Sequence, residues 1–376
     1  VMEHIENLTS KQGGDNEKLI FKVMKRGAEL QRAIEKGDGE LADNGLRYDL
    51  TVPLARYYAN NREKLPVPFK AMQLGNVWRA DNPQKGRFRQ FTQCDIDILG
   101  DDSSLAEIEL ISATAAMLSK ILAEANLSEF TIHVNDRRML AAAALSAGFE
   151  ADEIGGALIS LDKFDKIGLD GIEKDLLAGG YAEEKVAKYM AFYRNVQPGM
   201  EIADFCKGVS TEYLPESVGT ALADIIGSVK PMLAEGVKLV FDPTLVRGMG
   251  YYTGPVFEVT LDGYNFYIAG GGRYDEMIGK FSGQNVSACG FSIGFERIVT
   301  ILKDHMQGSY KLPEGSTAYL VGGKVPTARK AEVLAQAAQV RTTGVVATVL
   351  PMSKNIKHQI ELLEAEGFTK FEKIYE

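Results

Sequence analysis

Cysteine, histidine and tryptophan are scarce in this chain of 376 residues, at three, four and one copies. Cys94, Cys206 and Cys289 lie far apart and form no Cys-x-x-Cys pair, which argues against both a disulfide framework and a zinc site. His4, His133, His305 and His358 are equally scattered, which excludes a histidine metal cluster and HExxH chemistry. Nowhere does the chain reach the roughly 18 consecutive apolar residues of a membrane span. Its opening, VMEHIENLTSK, holds no apolar signal core, so the expected setting is cytoplasmic, with no membrane partner. Internal repeats and low-complexity tracts are missing. Cations are outnumbered, 42 Lys plus Arg against 51 Asp plus Glu, a net charge of −9. On its face that acidity argues against a nucleic-acid partner.

What is present describes an ordinary folded chain, 45% hydrophobic and 25% charged, long enough for two or three well-buried domains. Residues 18–23 (KLIFKV) read as a strand and 26–36 as a helix. LRYDLTVPLARYYANN (46–61) starts with alternation and turns helical, with Pro53 early, where a helix tolerates it. Residues 71–99 read as two strands around the charged loop RADNPQKGR (79–87), where Asn82-Pro83 and Gly86 supply turn chemistry. A helix is predicted over 104–125, with Ser104-x-x-Glu107 as a capping box and Leu105, Ile108, Ile111, Ala115, Leu118 and Leu122 at helical spacing. Residues 129–135 read as a strand, and the Ala-rich, acidic 150–230 as a helical insertion. Strand signals return at 237–242 and 253–272, where Asp262-Gly263 marks a tight hairpin, and 287–302 reads as a strand passing into a helix. Residues 303–315 have linker composition, and a β-α-β-α pattern follows, ending in a short strand. Antiparallel pairs with helices beside them make the large part α+β, and alternation makes the small part α/β.

Five segments carry chemistry. GNVWRADNPQKGRFRQFTQCDIDILG (75–100) brings Arg79, Lys85, Arg87 and Arg89 against one anion, Asp81, within the eleven residues 79–89. Convergent guanidiniums on a turn between strands suit a polyphosphate, since each offers planar bidentate donors. The second strand then puts Arg89, Phe91, Gln93, Asp95 and Asp97 on one face, the makings of a pocket floor for an amine or imidazole. A solvated hairpin with surface charges accounts for this segment equally well when it is read alone. LVRGMGYYTGPVFEV (245–259) sets Arg247 and Tyr251-Tyr252 among glycines, where backbone crowds a ligand or where aromatics simply pack. AGGGRYDEMIG (269–279) allows close backbone approach and adds Arg273 and Tyr274. It is neither a P-loop, lacking Gly-Lys-Ser/Thr, nor a GxGxxG helix start. GFSIGFERI (290–298) runs from strand to helix through Gly294, with Glu296 and Arg297 in the first helical turn. LRYDLT (46–51) puts Arg47, Asp49 and Thr51 on one strand face, where a carboxylate beside a hydroxyl suits an ammonium group.

Together and in this order, these segments resemble the catalytic core of class II aminoacyl-tRNA synthetases, and specifically the histidyl-tRNA synthetase family. Residues 75–100 look like motif 2 and 290–298 like motif 3, which alone mean only class II. The Arg247 and Tyr251-Tyr252 segment is similar to the histidine-specific signature and narrows the choice. The resemblance implies an α+β fold: a class II antiparallel-sheet catalytic core over 1–149 and 231–305, a helical insertion domain at 150–230, a linker at 306–316, and a small α/β anticodon-binding-type domain at 317–376 that is shorter than the family's. It further implies ATP-dependent activation of L-histidine to histidyl-adenylate, transfer to tRNA(His), and a homodimer. ATP and Mg²⁺ would be required, the metal held mainly by ATP rather than by a protein site.

Residue by residue, the resemblance implies that Arg79 holds the α-phosphate and the histidine carboxylate, Arg297 the γ-phosphate end, and Arg247 the α-phosphate, these three being the catalytic set. Asp81 and Arg87 would help to place the nucleotide. Asp49, Thr51, Gln93, Asp97, Tyr251, Tyr252 and Tyr274 would enclose the amino acid, alongside Arg79 and Arg247. Three departures stand out. The chain begins past where motif 1 would lie, Met249-Gly250 replaces the commoner Leu-Asp, and the C-terminal domain lacks a final strand and helix. An alternative is the non-catalytic, synthetase-like regulatory subunit of ATP phosphoribosyltransferase, which resembles the core but tolerates losses at ATP-binding positions. A class II enzyme for proline or threonine is disfavoured by Tyr251-Tyr252. Placed cations can also overrule the acidic total, since −9 is spread along the chain while the arginines are concentrated at 79–89, 247, 273 and 297.

Overall fold

A computed structural model describes residues 2–9, 18–37, 39–247, 250–305 and 312–375. The chain divides into two units, Val1–Leu302 and Lys303–Glu376. Most of the expected linker, residues 306–311, lies outside the described residues.

The first unit opens with three short strands, β1 (Met2–His4), β2 (Lys22–Met24) and β3 (Ala42–Leu46), forming an antiparallel sheet in the order β1-β3-β2. Strand β2 starts at Lys22 rather than at the expected residue 18. Seven further strands build the main sheet: β4 (Phe69–Trp78), β5 (Gln90–Leu99), β6 (Phe130–Asp136), β7 (Val237–Phe241), β8 (Pro255–Thr260), β9 (Ala269–Arg273) and β10 (Ala288–Gly294). Their order is β4-β5-β10-β9-β8-β6-β7, with every neighbouring pair antiparallel except β6 and β7. That parallel pair is joined by a connection of about a hundred residues, most of them helical, the long crossover that parallel pairing requires.

Helix Leu105–Ala123 lays Leu110, Ile111, Leu118 and Leu122 against Ile98, Phe291 and Ile293 of the sheet. Residues 150–230 are helical, and buried Leu158, Ile172, Tyr189 and Leu222 from their helices belong to the same core. In the second unit, parallel strands β11 (Thr317–Val321), β12 (Ala347–Pro351) and β13 (Lys370–Ile374) lie in the order β12-β11-β13. Helix Thr327–Arg341 covers Tyr319 and Val321, while Leu363 of helix Ile356–Ala365 covers Ala318 and Leu320, so both faces of the sheet are apolar.

Three local details differ from expectation. Ser104 makes no side-chain cap bond. Glu107 is 1% exposed and is taken instead by Arg273, whose Nε lies 2.6 Å and Nη2 2.8 Å from its carboxylate oxygens. β8 and β9 do pair, but the loop between them runs from Leu261 to Ile268 rather than turning in two residues. Its Phe266 ring packs 2.6 Å from where a Cβ on Gly86 would lie, so the extra length carries aromatics back over the charged turn. Lastly, β3 ends at Leu46, so Arg47, Asp49 and Thr51 share no strand face. Thr51 instead opens helix Thr51–Asn61, and Asp49 Oδ1 accepts from Val52 N at 3.2 Å in its first turn. Arg47 turns away to donate to the Asn76 carbonyl at 2.7 Å.

Candidate functional site

The period-two alternation of β5 puts Gln93, Asp95 and Asp97 on one face, and register extends that face across the sheet. Asp95 pairs with Ser292 of β10, Ser292 with Gly270 of β9, and Gly270 with Glu258 of β8. Above this face opens a cleft of about 750 Å³. Its wall holds Arg79, Asp81 and Arg87 from the charged turn, Asp49 and Thr51 from the start of a helix, and Arg297 from the helix after β10. Gln93, Asp97, Arg247, Tyr251, Tyr252 and Tyr274 complete it. Arg273 is not among them, being held on the far side of the sheet by Glu107. Met249 lies outside the described residues, while Gly250 borders the cleft.

One end of the cleft is cationic. Arg79 is sandwiched between the Tyr48 ring at 4.3 Å and the Phe91 ring at 5.0 Å, and Nε donates to the Tyr48 carbonyl at 3.2 Å. Stacking of this kind fixes the guanidinium plane without consuming its charge. Arg297 donates to the Gly86 carbonyl at 2.9 Å and the Tyr267 carbonyl at 2.5 Å. Burial, followed by repulsion from Arg79, Arg87 and Arg247, pulls its pKa down to about 10. Four guanidiniums repelling one another in a half-buried wall form a site that a polyanion stabilises. Glu296 also borders the cleft, and both its oxygens accept from Thr92 N at 2.8 Å.

The other end is acidic. Burial raises Asp49 to about 6, and burial with the neighbouring carboxylates raises Asp95 to about 7 and Asp97 to about 8. Tyr274 donates to Asp97 Oδ1 at 2.6 Å, and Oδ2 has no hydrogen-bond partner. Tyr251 and Tyr252 pack with ring centroids 4.7 Å apart beside them. A buried acid cluster with an unpaired oxygen suits a ligand that brings only donors and positive charge.

Between the two ends lies Arg247. Its Nη1 bonds Glu258, itself 4% exposed and pushed by burial to about 7 against the pull of Arg247. Arg247 passes directly over Gly270, where a Cβ would stand 2.3 Å from Nη1. The sequence places Asp95 on the pocket-floor face, where the structure has it. Glu258, Ser292 and Gly270 were not foreseen, because only the register across β8, β9 and β10 brings them together, and Tyr48 was not, because its ring meets Arg79 from a distant segment.

The family model described as "Histidyl-tRNA synthetase" matches residues 1–298. A histidine–tRNA ligase from Leifsonia xyli subsp. xyli is 43% identical over 99% of this chain and 85% of its own length. A probable histidine–tRNA ligase from Tropheryma whipplei is 38% identical over 98% and 85%. Among solved structures, histidyl-tRNA synthetase from Nostoc sp. PCC 7120 superposes with a TM-score of 0.70 at 25% identity, covering 98% of this chain and 80% of that one. A Bacillus halodurans protein described as an ATP phosphoribosyltransferase regulatory subunit/histidyl-tRNA synthetase gives 0.72 at 21% identity over 99% and 87%, a likeness of fold.

Proposed function

The chain belongs to the histidyl-tRNA synthetase family, and from that premise we propose that its cleft activates L-histidine with ATP and hands it to tRNA(His), the reaction of a class II histidine–tRNA ligase. The observation that carries the reading is the polarity of one cleft, arginines at one end and unpaired acid at the other, with Arg247 between them.

In this reading the histidine ammonium and imidazole lie among Asp49, Thr51, Gln93, Asp97, Tyr251, Tyr252 and Tyr274. The carboxylate then points toward Arg79 and Arg247. One carboxylate oxygen attacks the α-phosphorus of ATP, the new O–P bond forms, and the bond to the β-phosphate oxygen breaks, releasing pyrophosphate. Charge builds on the α-phosphate oxygens as this happens. Guanidiniums already held by Tyr48, Phe91 and Glu258 meet it without reorganising. Arg297 and Arg87 take the outer phosphates, and Asp81, 3.7 Å from Arg87, steadies that side chain. Mg²⁺ enters with the nucleotide as part of the substrate and shares the phosphate charge. In the second step a terminal hydroxyl of the tRNA attacks the carbonyl and AMP leaves. No protein nucleophile is needed, so the protein's work is placement and charge.

Retention of Arg79, Arg247 and Arg297 in a single cleft supports the enzyme over a non-catalytic regulatory subunit. Among the described residues no helix is long and apolar enough to cross a membrane. We place the work in the cytoplasm, where tRNA is charged. We also propose a homodimer. Among the described residues the edge strand β4 pairs only with β5 and exposes Met72 at 77% and Leu74 at 67%, an apolar stripe suited to a second copy. Light scattering should report about twice the chain mass, falling to one chain mass in Met72→Glu/Leu74→Glu. A wild-type monomer would refute the dimer. Exchange of labelled pyrophosphate into ATP, assayed across the twenty amino acids, tests the main reading. Exchange that depends on histidine supports it, and exchange with another amino acid or with none overturns it.

A further inference from the structure

We propose that Asp95 is a positioning residue for amino-acid selection, holding the Gln93 side-chain amide with its oxygen outward so that the pocket offers an acceptor where the ligand carries a donor. This deepens, and rests on, the reading of the cleft as a histidine site. Asp95 sits at the centre of β5, 2% exposed, between Gln93 and Asp97 on the same face. Gln93 Nε2 lies 3.2 Å from each Asp95 oxygen and donates to Ser292 Oγ at 2.9 Å, while its Oε1 accepts from Arg79 Nη2 at 3.3 Å.

Chemistry permits only that orientation. A guanidinium has donors and no acceptor, so the amide atom facing Arg79 must be the oxygen. With the oxygen fixed there, the NH₂ is the atom left to face Asp95. Ser292, directly across from Asp95 on β10, completes the arrangement by donating its hydroxyl to Asp95 while accepting from Gln93. Both amide hydrogens are thereby engaged within the sheet face. Gln93 then keeps its oxygen on the Arg79 side of the cleft wall, which Asp97 and Asp49 also line. A ligand that brings N–H groups matches this acceptor-lined wall, and an isostere that brings a lone pair or a methyl sets a mismatch against it, which is where strong discrimination arises. Asp95 need not touch the amino acid to produce this. It acts through Gln93.

The test is pyrophosphate exchange in a double-mutant cycle of Asp95→Ala and Gln93→Ala, with Asp95→Asn as the conservative variant and thermal melts to establish folding. Asp95→Ala should raise the KM for histidine roughly 10- to 100-fold, the loss expected for a charge-assisted hydrogen bond, with the KM for ATP within about threefold. Asp95→Asn keeps an acceptor for Gln93 Nε2 and should recover most of the affinity. In the Gln93→Ala background, Asp95→Ala should add less than about threefold, because the group it orients is gone. An unchanged histidine KM in Asp95→Ala, an Asn variant as weak as Ala, or a full additional loss in the Gln93→Ala background would each overturn the proposal. If Asp95→Ala does not fold, Ser292→Ala enters the same cycle with the same nonadditivity expected. Wild-type protein lacking histidine-dependent exchange would instead refute the functional reading beneath it.

Discussion

Gly270 offers a test of how closely Arg247 must be held. An alanine Cβ there would stand 2.3 Å from Nη1, 2.8 Å from Cζ and 3.1 Å from Nη2 of Arg247. Ordinary carbon contacts need about 3.4 Å or more, so the guanidinium must retreat by roughly 1 Å. The obstacle is the far end of a side chain, and the backbone at Gly270 carries no positive φ, so folding should be little affected. Catalysis should be affected a great deal. A displacement of about 1 Å at a charged positioning group costs on the order of 10²-fold in rate. Removing the charge in Arg247→Ala should cost about 10²–10³-fold, which sets the floor. Pyrophosphate exchange at saturating histidine and ATP measures the rate, and a thermal melt measures the fold. Gly271→Ala is the control with opposite character. There the Cβ would meet the Gly290 carbonyl oxygen at 2.0 Å, a backbone atom of the neighbouring strand, so the melt should collapse before activity can be read. If Gly270→Ala retains exchange within about threefold of wild type, Arg247 is not required in the position it occupies over β9.

Glu107→Gln removes one charge of a pair in which Glu107 is 1% and Arg273 8% exposed, so unfolding free energy should fall by about 3–5 kcal/mol. Because the pair lies outside the cleft, the KM for histidine should stay within about threefold at a temperature where both proteins are folded, and an unchanged urea midpoint would refute the assignment. The acid cluster predicts two opposed pH trends. Folded-state values of about 6, 7 and 8 lie above the ordinary 3.8, so the empty protein binds more protons folded than unfolded between these limits. Stability without ligand should be complete below that window and decline as pH rises through 6 to 8. Histidine affinity, measured by calorimetry, should strengthen across the same range as the acids ionise against the ammonium group. A ligand-free stability that does not decline from pH 6 to 8 would refute the raised values of the cluster.

Features that depend on spacing along one segment were legible. The alternation of β5, the arginines of the 79–89 turn and the strand-to-helix passage at Gly294 all lie within a few residues of their partners, so pattern alone locates them. What was hidden depends on which distant residue arrives. Glu107 has the spacing of a capping box, yet Arg273 reaches it from 166 positions away, and a buried guanidinium outbids a helix end for a carboxylate. Asp49 and Thr51 alternate like strand residues, but the chain leaves β3 at Leu46 and begins a helix, so they reach the cleft by a turn. Glu258 reads as an inward strand residue of unknown partner until the register sets it across from Gly270 beneath Arg247.

The β4–β5 hairpin has a consequence for how this protein can change over time. Arg79 at its turn and Asp97 toward its far end belong to one ladder of hydrogen bonds, so the cationic end and the acidic end are graduations on the same ruler. Gln93 to Asp97 spans roughly 13 Å at strand rise, and that spacing tolerates no slack. Inserting a single residue between Arg89 and Gln93 would turn Cys94 and Ile96 to the cleft and drive the acids into the apolar core. Side chains on β5 can therefore be exchanged singly, whereas its length cannot drift.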